Sequence, residues 1–286
     1  MKFKFLILLV FASALDIMAS GSVAPSKIVF TGKDKVILQE KMAQFSKLSN
    51  LSTGELMLKI GNDFIGTPYV AKTLDTGMAE NLIVNLREFD CTTFVENCLA
   101  IARTIKGVHP TFESFIKELE KIRYRNGQLD GYVSRLHYFG EWINDNQTKG
   151  IVKDVTRQIG GIKYPVLLNF MSNHPEYYPQ LKGNPALIKE ISQIEKKLSE
   201  GSFSYIPKDK IAGTAPNIAD GDIVALVTKI PGMDVSHVGL LYLVNGNIYM
   251  LHASSTGGKV ETTLVPLTDY LKNSKNTTGI FVIRAL

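Results

Sequence analysis

Apolar positions recur at helical spacing over residues 34–46 and 53–64, and Ser52 stands ahead of the second run as an N-cap. Gly66-Thr67-Pro68-Tyr69 then breaks the pattern into a turn. A third helix is predicted to begin at Asp90, because Phe94, Val95, Cys98, Leu99, Ala102 and Ile105 form one apolar stripe that Gly107 closes. Cys91 falls in its first turn. Residues 111–123 and 185–199 repeat the helical period, but the rest of the stretch from His109 to about Lys210, including Ser134-Arg135-Leu136-His137-Tyr138, has no period that assigns it. From Gly221 the pattern changes to short β-branched and aromatic runs at 223–230, 238–244, 248–252 and 280–284.

Asn245-Gly246 between two of these runs signals a hairpin, and a two-residue turn there pairs Val244 with Asn247. In that register His237 faces Ser254, His252 faces Gly239, and the two histidines lie diagonally on one face of the sheet, about 7 Å apart at the backbone. The missing side chain of Gly239 leaves room for His252. A three-residue turn would break this parity.

The chain has 286 residues, 45% of them hydrophobic, enough for a sizeable core. No repeat, low-complexity tract or Pro-rich linker marks a domain boundary. Lys and Arg number 32 against 27 Asp and Glu, spread without blocks of like charge, so no nucleic-acid partner is expected. Lys2 and Lys4 precede an apolar run over 5–15, with small residues around Ala19 to Ala24, which is the order of a secretory signal at 1–20. That run ends at Asp16, short of the roughly 20 residues of a membrane span. The expectation is a monomer, periplasmic or secreted, with no stable membrane insertion after signal removal.

Export changes the reading of the two cysteines. Cys91 and Cys98 lie on one predicted helix, about 10 Å apart along its axis, and cannot bridge each other. Cys98, on the apolar stripe, reads as a buried small hydrophobe. Cys91 at a helix start reads as a nucleophile: a helix N-terminus and an adjacent imidazolium both favour the thiolate, His237 can serve as base, and His252 can fix its ring. The backbone N–H of Cys91 can donate to a developing oxyanion. The Cys and His spacings do not suit zinc, and neither metal nor cofactor is expected.

The motifs Gly66-Thr67-Pro68-Tyr69, Asp90-Cys91-Thr92-Thr93-Phe94-Val95, Gly221-Asp222-Ile223-Val224, Ser236-His237-Val238-Gly239 and His252-Ala253 stand in one order along the chain. In that order the sequence resembles the NlpC-like, papain-fold cell-wall cysteine peptidases, over roughly residues 61–105 and 216–286. The resemblance implies an α+β, papain-like fold, with the catalytic Cys at a helix N-terminus packed on an antiparallel sheet that carries both histidines. It implies Cys91 as nucleophile, His237 as base and His252 as third catalytic residue, with Tyr69 bordering the oxyanion site and Asp90 and Ser236 lining the substrate pocket. Thr92-Thr93 stands where many members have Ser-Gly, so Thr92 belongs to a partly rebuilt pocket. The stretch between Cys91 and His237 is far longer than in compact members, and is read as an insert at about 106–215 in a single domain at 21–286.

That insert, with Arg135, His137 and Trp142, resembles the N-acetylmuramoyl-L-alanine amidase-like branch, which implies cleavage between the muramic lactyl group and L-Ala of peptidoglycan or its fragments. The alternatives are a γ-D-glutamyl endopeptidase, in which Asp90 would hold a free amine, and a thiol acyltransferase; a wall-binding protein with a degenerate pocket is disfavoured by the intact Cys91, His237 and His252. Arg135 and His137 are read either as a charge pair or core contact, or as ligands of a substrate carboxylate.

Overall fold

Capping chemistry sets the starts of the first four helices. Thr31 with Asp34, Ser52 with Glu55, Asp90 with Thr93 and Thr111 with Ser114 close reciprocal boxes ahead of α1 (Gly32–Phe45), α2 (Thr53–Asp63), α3 (Cys91–Lys106) and α4 (Phe112–Arg123). Each box satisfies backbone donors that the first turn would leave open. The computed structural model describes residues 27–75 and 77–286; the signal expected at 1–20 lies outside them.

The fold is α+β. A short parallel pair, β1 (Ile28–Val29) with β2 (Leu82–Ile83), stands apart from a mostly antiparallel sheet. The sheet runs β4 (Ile162–Tyr164), β5 (Phe203–Pro207), β10 (Thr277–Ala285), β6 (Ile223–Thr228), β7 (Val235–Val244), β8 (Asn247–Ser254), β9 (Lys259–Thr262), and β3 (Val152–Asp154) also pairs with β10.

Both faces of the central strands are buried, which explains their unbroken apolar runs. Ile223, Ala225 and Val227 of β6 join Leu240, Leu251 and Phe281 in the layer under α1 to α4, while Val224 and Leu226 join Leu241, Met250 and Val282 in a second layer closed by α8 (Leu267–Lys272). The predicted stripe of α3 from Phe94 to Ile105 lies in the first layer, with Cys98 fully buried among it.

The stretch expected as an insert is woven into this frame. Phe112, Phe115, Leu119 and Ile122 of α4 pack into the first layer, and β3, β4 and β5 extend the sheet. Its own core is a small cluster of Tyr132, Tyr138, Leu168, Met171, Leu181 and Ile191, between α5 (Phe139–Thr148), α6 (Phe170–Asn173) and α7 (Pro185–Ser199).

Candidate active site

Cys91 is the first residue of α3, so its backbone N–H has no partner within the helix and lies at the positive end of the helix dipole. The thiol is half-buried. It receives backbone N–H bonds from Val238 on β7 and from Thr92, which places it against the strand that carries His237. Burial, together with the neighbouring Asp90 carboxylate, pushes the thiol up to about 11 despite those donors.

The hairpin has the predicted register. Asn245 and Gly246 take φ of 50° and 77°, as a type I′ turn requires, and Val244 pairs with Asn247 through to Leu240 with Leu251. A Cβ at Gly239 would sit 2.8 Å from the Leu251 carbonyl oxygen and 3.1 Å from the His252 Cβ, so only glycine leaves His252 its place. His237 Nε2 and His252 Nδ1 are 2.6 Å apart, with the rings nearly perpendicular at 88°. Burial, and beyond it the second imidazole, lowers the His237 pKa to about 3; burial lowers that of His252 to about 4, against the pull of the Glu261 carboxylate across the strand pair. Burial thus acts against both charges of the expected thiolate–imidazolium pair.

Tyr69 is clamped from both sides. Its N–H donates to Gly258 beside β9 and its backbone bridges Phe89, so the Gly66-Thr67-Pro68-Tyr69 turn stands in front of α3. Burial raises the Tyr69 phenol, with the Cys91 and Asp90 charges adding to the effect. Asp90 is occupied as a cap: Oδ1 accepts from the Thr93 N–H at 2.8 Å and the Thr93 hydroxyl at 2.9 Å, and Oδ2 accepts from Thr73 at 3.2 Å.

Cys91, Thr92, Ser236 and His237 line one cleft of about 180 Å³, whose opposite wall is Leu136, His137, Tyr138, Phe139, Phe170, Met171 and Tyr178. Asp90 and Arg135 line a second cavity that shares Thr92, Leu136, His137 and Tyr178 with the first. Arg135 is buried and held by Asp75 at 2.7 Å and Glu80 at 3.6 Å, the geometry of a structural charge cluster. His137 does not pair with it; the ring nitrogen Nε2 meets the Tyr132 carbonyl oxygen at 2.9 Å.

Two contributors lay outside the sequence reading. Asp234 lines the cleft and accepts backbone N–H bonds from Gly140 at 2.7 Å and Val235 at 2.7 Å, and burial raises its carboxyl to about 6. No local pattern signals it. Glu261 lies opposite His252, a position that extending the hairpin alternation through Gly257-Gly258 would have reached. Among the described residues no group of three or more His, Cys, Asp or Glu side chains converges as metal ligands.

Comparison with known proteins bears on this arrangement. Residues 59–280 match the family described as N-acetylmuramoyl-L-alanine amidase-like. A crystal structure of an N-acetylmuramoyl-L-alanine amidase from Bacteroides uniformis is 40% identical with a TM-score of 0.78, over 82% of this chain and 99% of that one. A Bacteroides fragilis protein with the provisional description of a xylanase is 43% identical with a TM-score of 0.75, over 78% and 98%. A Legionella pneumophila protein at 22% identity and a TM-score of 0.66, over 88% of this chain and 95% of that one, shares the fold. No curated protein matches the chain.

Proposed function

Since the chain belongs to the N-acetylmuramoyl-L-alanine amidase-like family, we propose that it is an exported, papain-like cysteine amidase that cleaves the bond between N-acetylmuramic acid and L-Ala in peptidoglycan or its fragments. The observation that carries this reading is one cleft lined by a helix-start thiol and by His237, with His252 2.6 Å behind that imidazole. His252 Nδ1 accepts from His237 Nε2–H, which leaves Nδ1 of His237 as the lone-pair base. Cys91 Sγ attacks the lactyl carbonyl carbon as its proton passes to His237, without a preformed thiolate. The backbone N–H of Cys91, beside Tyr69, stabilises the oxyanion. Collapse expels the L-Ala amine, which takes the proton from His237, and water then hydrolyses the thioester with His237 as base.

Thr92 and Ser236 border the thiol and His137 faces it, as substrate contacts. Arg135, tied to Asp75 and Glu80, shapes the adjoining cavity. The endopeptidase alternative needs Asp90 to capture a free amine, and the cap and Thr73 bonds on both of its oxygens weigh against that role. A glycosidase needs paired carboxylates, whereas Asp234 is the one carboxylate among the described residues of the cleft, and it accepts backbone N–H bonds.

The test is mass spectrometry of products from an N-acetylmuramoyl stem peptide and from the same peptide without sugar. Release of free N-acetylmuramic acid with an inert sugar-free peptide is expected. Cleavage of the sugar-free peptide after γ-D-Glu would promote the endopeptidase instead.

A further inference from the structure

We infer that His137 offers its ring Nδ1 to the Cys91 cleft as a fixed hydrogen-bond acceptor, so that the substrate group it selects is an amide N–H and not a carboxylate. The argument begins with the Tyr132 carbonyl oxygen, 2.9 Å from Nε2. A carbonyl oxygen only accepts, so the proton is on Nε2. The ring also packs on Tyr132 with centroids 4.4 Å apart, which fixes its orientation. Burial, with the Arg135 and Arg125 charges, keeps His137 well below its ordinary pKa and therefore neutral. A neutral ring protonated on Nε2 has a lone pair on Nδ1.

That lone pair has no hydrogen-bond partner among the described residues, and Nδ1 is not among the unpaired polar atoms sealed from solvent. His137 lines the cleft of Cys91 and the adjoining cavity alike, so an open acceptor stands where the two meet. An acceptor repels a carboxylate. Arg135, the residue that could have drawn one in, already holds Asp75 and Glu80. Amides are the neutral donors that stem peptide and acetamido groups supply in the substrate proposed above, and the inference rests on that reading.

The experiment uses a Cys91→Ala background, which prevents cutting, and calorimetric titration with an N-acetylmuramoyl tripeptide. His137→Gln keeps an amide N–H for the Tyr132 carbonyl but leaves no acceptor at the position of Nδ1. His137→Asn places an amide oxygen where Nδ1 stands. The Gln variant should bind about tenfold more weakly, one hydrogen bond's worth, and the Asn variant within about threefold of the parent, with little change in melting temperature. Amidating the ligand's carboxylates should leave the Gln deficit intact. Parent-like binding by the Gln variant, equal losses in both variants, or a deficit that vanishes with the amidated ligand would each overturn the inference. Turnover by the protein with Cys91 intact is scored separately: failure to release the sugar refutes the proposed amidase, whatever the His137 variants show.

Discussion

The two walls of the cleft are built from different materials. The wall with Cys91 and His237 rests on α3 and the central strands, whose buried contacts are mostly apolar, the Glu96–Arg123 pair at 2.7 Å being the charged exception. The wall with His137, Tyr138 and Phe170 rests on a small aromatic-rich cluster with polar ties beside it: Asp75 to Arg135 at 2.7 Å and Tyr138 to Glu195 at 2.6 Å. Apolar packing is insensitive to direction and stabilises in proportion to area. A buried ion pair contributes little net stability, yet its loss leaves an uncompensated charge. One wall is therefore suited to rigidity and the other to a defined shape, which matches a division between chemistry and substrate choice.

Substitutions can break that division. Cys91→Ala should lower turnover by about 10⁴-fold or more while stability changes by less than about 1 kcal/mol, and Cys98→Ala should keep activity. Alkylation sharpens the point: with the thiol near 11, iodoacetamide labelling should keep rising beyond pH 9, and a plateau below pH 8 would restore the thiolate pair. On the same wall, His237→Ala should cost about 10³-fold in rate and His252→Ala about 10²-fold, because in the proposed mechanism one transfers the proton and the other only orients it. Equal losses would erase the distinction.

The opposite wall should respond in stability first. Arg135→Ala strands Asp75 and Glu80, so a loss of about 3 kcal/mol in denaturant unfolding is expected, with hydrogen exchange rising around Tyr132 before it rises in α3. A rate loss with unchanged stability would instead return Arg135 to the substrate.

A separate effect concerns pH. His237 and His252 titrate near 3 and 4 when folded, while the unfolded chain takes up protons near the ordinary value of 6.5. Stability from keeping them neutral is present above 6.5 and lost as pH falls towards 4. The double variant His237→Gln, His252→Gln should therefore lose less stability than the parent between pH 6.5 and 4.

The same contrast governs what the sequence could reveal. The α3 stripe and its start at Asp90, the Asn245-Gly246 turn and the Gly239 vacancy under His252 are local or periodic, and each was legible residue by residue. Arg135 pairs with Asp75 across 60 positions and Tyr138 with Glu195 across 57, and no period announces such partners. The upward shift of the thiol was likewise out of reach, since it depends on burial that only the packed chain creates. The middle stretch stayed unassigned for a related reason: strands as short as β3 and β4, three residues each, are too brief to show alternation.

Strand β10 lies between β6 on one side and β3 with β5 on the other, though it spans Thr277–Ala285. Neither half of the sheet can dock on the other until those residues arrive. Such long-range closure slows folding. It also acts as an assembly interlock: a chain cut short before Thr277 would have all the proposed catalytic side chains and no platform to align them.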